Sequence, residues 1–242
     1  MKKTLLFAGL ILALTASFAM AAGVSVNWKN ACWGEEPLTN LTWTCTTNSN
    51  LNIRMTTSFK LDADYPGFVG VGVYMEGMVE AVAVPDWWEL SNVNATDCRY
   101  GLMTVSADGS GLPNGGVDVC FDPWQGSGSG GLGLYSWDGN RLHANAVWAV
   151  GVAVPLAANT EYFALTFRVS APKTVNSCTG CLTPAIWAVN KMGICEMAQT
   201  IYLADAYADG NQCVTWQSST LPCAAPVPAR NTTWGQVKSL YR

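Results

Sequence analysis

Cys178-Thr179-Gly180-Cys181 has the spacing of a redox dithiol, whose leading thiol would be activated at the start of a helix in a βαβ setting. Here the pair is flanked by Asn176-Ser177 and by Thr183-Pro184, which suit a loop, so a structural loop bridge is expected instead. A zinc knuckle would need a second pair, and Cys195 with Cys213 would serve only in a chain that stayed reduced. The chain has one histidine, His143, so a His-dependent triad or a multi-His metal site has almost nothing to build on. His143 reads as an ordinary loop or surface residue. Among 17 carboxylates chance pairs are expected, and none sits in a glycosidase motif. Asp62-Ala63-Asp64 gathers oxygen ligands but lacks the loop spacing of a calcium site, so it reads as a solvated strand end. Gly126-Ser127-Gly128-Ser129-Gly130-Gly131 is followed by neither a lysine nor a helix signal; it reads as a mobile loop, not a phosphate cradle. No catalytic residue, metal site or cofactor is expected.

The unusual resource is 11 tryptophans. An exposed indole stacks on sugars and anchors interfaces. Trp87, Trp88 and Trp124 lie in turn-like contexts and are the expected binding residues; the other tryptophans are expected to pack the core and shield disulfides.

Residues 1–21 set the compartment. Met1-Lys2-Lys3 leads into an apolar run from Thr4 to Leu14 and then small residues ending Ala19-Met20-Ala21, the order of a secretory signal. The run is short for a transmembrane helix, and no transmembrane helix is expected after cleavage. All 9 cysteines follow this segment, so they read as a disulfide framework with one left over. Proximity suggests Cys32–Cys45, Cys98–Cys120 and Cys195–Cys213, with Cys178, Cys181 and Cys223 competing for one more bridge. Without the signal, 11 basic residues face 17 acidic ones, a charge of −6. That balance speaks against nucleic acid, which needs a basic face, and against anionic membrane. A glycan or a surface protein is the partner class that remains.

The elements that must carry these residues are strands. In residues 51–61, Leu51, Ile53, Met55, Phe59 and Leu61 alternate with Asn52, Arg54, Thr56, Ser58 and Lys60, the period of a half-buried antiparallel strand. Further strands are expected at 24–28, 68–75, 79–84, 102–106, 117–121, 132–137, 144–154, 161–169, 186–190, 200–204 and 214–216, separated by turn chemistry such as Asp138-Gly139-Asn140. Asp86-Trp87-Trp88-Glu89-Leu90, after Pro85, reads as a short helical turn. The expected fold is all-β, an antiparallel β-sandwich with disulfides and a short C-terminal helix. Residues 1–21 are read as the signal, 22–223 as the sandwich domain, and 224–242 as linker and tail.

The tail ends Thr232-Thr233-Trp234-Gly235-Gln236-Val237-Lys238-Ser239-Leu240-Tyr241-Arg242. Thr233 with Gln236 fits a capping box, and Trp234, Val237, Leu240 and Tyr241 fall on one helical face. So short a helix is marginal alone. Its apolar face either straps onto its own domain or is read by a partner as a sorting or attachment tag.

Strand segments such as Thr160-Glu161-Tyr162-Phe163-Ala164-Leu165-Thr166-Phe167-Arg168-Val169 resemble those of cohesin-like and carbohydrate-binding-module-like sandwiches. Several pieces together resemble uncharacterised secreted bacterial β-sandwich proteins: Val84-Pro85-Asp86-Trp87-Trp88-Glu89-Leu90 before Cys98, then Cys178-Thr179-Gly180-Cys181, Val214-Thr215-Trp216-Gln217, and a tail of the form TWGxVKSLYR. The resemblance implies export and assigns no activity. The expected function is a noncatalytic secreted or cell-surface protein acting in binding or extracellular structure; the rivals are a carbohydrate-binding module using exposed Trp and a secreted hydrolase. Oligomeric state is open.

Overall fold

A computed structural model describes residues 22–29, 32, 37–49, 52–108, 120–197, 199–206 and 210–223. Residues 1–21 read as a signal, Trp33, most of the strand expected at 117–121, and the expected tail helix with Trp234, Val237, Leu240 and Tyr241 lie outside them. The described chain is all-β, with one turn of 3-10 helix at Asp86–Trp88 and no α-helix among the described residues. No described helix is long and apolar enough to cross a membrane.

Among the described residues eleven strands form two sheets: β1 Gly23–Asn27, β2 Asn40–Leu41, β3 Asn52–Lys60, β4 Tyr65–Val79, β5 Met103–Ser106, β6 Ser129–Asp138, β7 Arg141–Leu156, β8 Tyr162–Ser170, β9 Ala185–Cys195, β10 Thr200–Leu203 and β11 Cys213–Trp216. The four-stranded sheet runs β1-β3-β8-β5; the seven-stranded sheet runs β2-β11-β9-β4-β7-β6, with β10 also on β9. All pairs between these strands are antiparallel except β2 with β11, which is parallel. Strand β9 is shared: its first half carries β11 and its second half β10 on the edge opposite β4.

The period-two reading of residues 51–61 holds for the buried row Ile53, Met55, Phe59 and Leu61, although Thr56 and Ser58 on the other face are buried too. Side chains of both sheets join one buried cluster, Met55, Phe59 and Phe163 from the smaller and Phe68, Val73 and Trp187 from the larger. Two expectations about strands fail. Residues 80–84 do not continue as a strand, and the glycine-rich segment is turn and loop only as far as Gly128. Ser129-Gly130-Gly131 opens β6, where Gly130 pairs with Trp148 and an added Cβ would collide with the Val147 carbonyl. Glycine there allows close backbone approach. The β6–β7 hairpin turns on Gly139-Asn140, with Gly139 at φ +59°, as a two-residue turn with glycine first requires.

The disulfide framework exists, but none of the three proposed pairs does. The bridges are Cys32–Cys120, Cys45–Cys181, Cys98–Cys178 and Cys213–Cys223, and Cys195 is free. Three of them span 80, 88 and 136 residues. Proximity along the chain misled because sheet pairing brings distant segments to the Cα spacing of about 4.4–6.8 Å that a bridge requires. Cys178 and Cys181, read as one loop bridge, tie that loop to two different partners.

The tryptophan expectation is also corrected. Trp87, Trp88 and Trp124 are completely buried, and none of the nine described tryptophans is exposed. Trp216 is the hub of the aromatic core, with ring centres 5.2 Å from Trp87, 5.8 Å from Trp88 and Trp28, and 5.9 Å from Trp43. The indole N–H groups of Trp87, Trp124 and Trp216 donate to Thr174 Oγ1, the Ala164 carbonyl and the Cys181 carbonyl. For Trp87 and Trp124, burying a large ring while satisfying its polar edge explains why a turn-like context does not imply exposure, whereas Trp88 is held by its ring contacts with Trp87, Trp187 and Trp216 and its Nε1 has no partner.

Candidate functional site

Four described aromatics are exposed, Tyr74, Tyr100, Phe121 and Tyr202, and two of them, Tyr74 and Tyr202, share the face of the seven-stranded sheet turned away from the shared core. Along β4, Val71, Val73 and Met75 are buried in the core, so Gly70, Gly72, Tyr74 and Glu76 point to the opposite face. Strand register extends each of these positions into a row. Gly72 pairs with Val147 on one side and Gly193 on the other, and these continue to Gly131 and Tyr202. The row before it is Ser129, Ala149, Gly70, Cys195 and Thr200. The row after it is Leu134, Asn145, Tyr74 and Lys191.

The first two of these rows, with Tyr74 from the third, line a trough of about 260 Å³. Gly70 and Gly72 on β4 and Gly193 on β9 lie along its floor, where the Tyr202 ring and the Thr200 methyl cover Gly193. The phenol rings of Tyr74 and Tyr202 flank it and remain 39% and 57% exposed. Lys191 Nζ lies 3.7 Å from the Tyr202 ring centre and 5.7 Å from that of Tyr74, so one ammonium contacts both rings. The glycines differ in what they tolerate. A Cβ on Gly70 would meet the Trp148 carbonyl oxygen at 2.6 Å, whereas on Gly72 it would meet only Tyr74 and Val147 side-chain carbons at 3.6 and 3.8 Å. Gly70 is therefore required by the backbone, and Gly72 is required only by the space above it.

Beyond Tyr74, outside the lining of the trough, the same sheet face carries polar groups. A register shift in β9 leaves Asn190 as an extra residue, and its side-chain amide donates to Glu76 Oε1 at 3.0 Å. His143, opposite Glu76 on β7, places Nδ1 4.0 Å from the same oxygen. The single histidine thus stands on the sheet face beside a carboxylate. The free thiol of Cys195 accepts from Thr200 Oγ1 at 3.7 Å.

A second cleft holds Asp64, Asp122, Phe121 and Tyr162. Burial raises Asp122 above the usual carboxylate range, but both carboxylates cap backbone turns: Asp64 Oδ1 accepts from Ala158 N at 2.8 Å and Asp122 Oδ1 from Trp124 N at 2.9 Å. The Asp62-Ala63-Asp64 segment is thus a strand end tied to the loop after β7. Among the described residues no group of three or more His, Cys, Asp and Glu is placed to hold a metal ion.

Neither a family model nor any curated protein matches this chain. The site therefore stands on its geometry. None of Trp87, Trp88 and Trp124 contributes to the trough. Its residues carried one signal in the sequence, the alternation Val69-Gly70-Val71-Gly72-Val73-Tyr74, which places two glycines and a tyrosine on one face of a strand.

Proposed function

We propose that this chain is an exported, noncatalytic β-sandwich that acts by binding, and that it takes its ligand at the glycine-floored trough on the outer face of the seven-stranded sheet. The observation that carries this reading is the pair of exposed rings, Tyr74 and Tyr202, flanking a concave floor that contains Gly70 and Gly72. A concave, mostly apolar surface with a few polar groups at one end is the usual form of a binding site. Export is supported by the signal-like residues 1–21 and by four disulfides. The resemblance to secreted bacterial β-sandwich proteins agrees with it. The noncatalytic reading is supported by the hydrogen-bond neighbour of Cys195, which is a threonine hydroxyl and not a base, and by the capping roles of Asp64 and Asp122.

The test uses the full exported chain and extracellular material from the producing cells. Wild-type protein is expected to bind that material, and Gly72→Val, which fills the trough, is expected to bind at least tenfold more weakly with an unchanged melting temperature. Equal binding by both proteins would remove the trough from the function. Release of soluble products from the material, abolished by changing Asp122 or Glu76, would replace binding with hydrolysis.

A further inference from the structure

Resting on that reading, we propose that the trough accepts one ring of a neutral glycan. Its volume, about 260 Å³, lies below the range of about 300–1,000 Å³ typical of pockets for drug-sized ligands, so it suits a single ring-sized group. At Gly72 the floor lets a flat group approach the backbone of β4, and Tyr74 and Tyr202, the latter lying over Gly193, present apolar ring surface with a hydroxyl at its edge. A saturated sugar ring matches this combination, with C–H groups for the phenol rings and hydroxyls for polar neighbours. Those neighbours lie in the next two rows: Asn145 and Lys191, then His143, Glu76 and the bulged Asn190.

Charge selects a neutral glycan over an acidic one. The one lysine in these rows, Lys191, is engaged with two rings and stands one row from Glu76, so a bound carboxylate or sulfate would meet an anion beside its only cation. The topology puts no free strand edge within the trough, and the open edges of β6 and β10 lie at its two sides. At the trough β7 is paired with β6 and β4, β4 with β7 and β9, and β9 with β4 and β10, so none of the three offers a free edge.

The full exported chain is run in native gels containing hydroxyethylcellulose, xylan, galactomannan, dextran or, as the acidic case, alginate. At least one neutral polymer is expected to retard it. Tyr202→Ala and Gly72→Val are expected to weaken that retardation at least tenfold while keeping the melting temperature of the wild type. The same polymer is expected to slow iodoacetamide alkylation of Cys195 at least threefold, since this thiol lines the trough. Retardation by no polymer, by alginate alone, or equally in all three proteins overturns the proposal. Extracellular material separates this failure from failure of the binding reading. Capture lost in Gly72→Val, abolished by protease and untouched by periodate, overturns the glycan and keeps the binding face. No capture by the wild type overturns both.

Discussion

The guanidinium carbon of Arg99 lies 4.0 Å from the centre of the Trp87 ring, and both side chains are fully buried. Its N–H groups donate to the carbonyls of Trp87, Ser170 and Pro172, so one cation joins the 3-10 turn to the last residue of β8 and the chain just after it. Burial pushes this guanidinium down to about 9, and the three carbonyls and the indole face offset that desolvation.

Replacing Arg99 with Met should leave those carbonyls without their donor. A loss of about 3 kcal/mol is expected, which in a domain of this size corresponds to a fall of roughly 6–12 °C in melting temperature. Arg99→Lys should recover less than half of it, because an ammonium cannot fork to three carbonyls and stack on a ring at once. Thermal unfolding followed by near-ultraviolet circular dichroism at neutral pH measures both variants. Equal stability of wild type and Arg99→Met would show that the cation does not hold this junction.

The four bridges should be found by non-reducing peptide mapping, with Cys195 alone open to alkylation in the native protein. Their contributions should differ with the chain they close. Cys45–Cys181 spans 136 residues and Cys213–Cys223 spans 10. By the loop-entropy relation, removing the first pair should cost about 2 kcal/mol more than removing the second. Denaturant titration of the two double-alanine variants checks the order. The reverse order would mean that something other than chain restriction dominates.

Glu80 receives hydrogen bonds from Ser219 Oγ, Thr220 N and Thr220 Oγ1 just before the last disulfide. The Ser219 hydroxyl is the largest reason that its carboxyl stands below the ordinary value of 4.5. Because the folded value is the lower one, this contribution is present above the ordinary value and is lost as pH falls through the folded value. The Thr220 amide proton should therefore shift in an acid titration monitored by nuclear magnetic resonance, with a midpoint below 4.5. Glu80→Gln should abolish that step. A midpoint at or above the ordinary value would refute the capping role.

Residues 226–242 follow the last disulfide cysteine, Cys223. If the tail is a tag, deleting these residues should leave the melting temperature within about 2 °C and change where the exported protein is retained. Cell fractionation and calorimetry of the truncated chain decide the matter. An unchanged location with a fall of several degrees would make the tail a strap.

Much of the strand order was legible because alternation and turn chemistry are local. The buried row of β3 and the Gly139-Asn140 hairpin follow from residue types at neighbouring positions. The candidate site was far less legible. Tryptophan count drew attention to Trp87, Trp88 and Trp124, but a ring's exposure depends on what the rest of the chain packs over it. The trough also needs Gly72, Gly193 and Tyr202 in one row, and no local pattern states that β9 lies between β4 and β10.

The sequence by itself determined an export-like start, a β-rich chain, an odd cysteine left over from a disulfide framework, and an acidic balance that disfavours nucleic acid. Each of these depends on composition or on spacing within a few residues. Tertiary structure alone decided which cysteines meet, that the tryptophans close a core around Trp216, and that tyrosines and glycines form the exposed trough. The physical reason is that β-sheet contacts are nonlocal: Tyr74 and Lys191 are sheet neighbours across more than a hundred residues of chain. Only the registered sheet turns their separate positions into one surface.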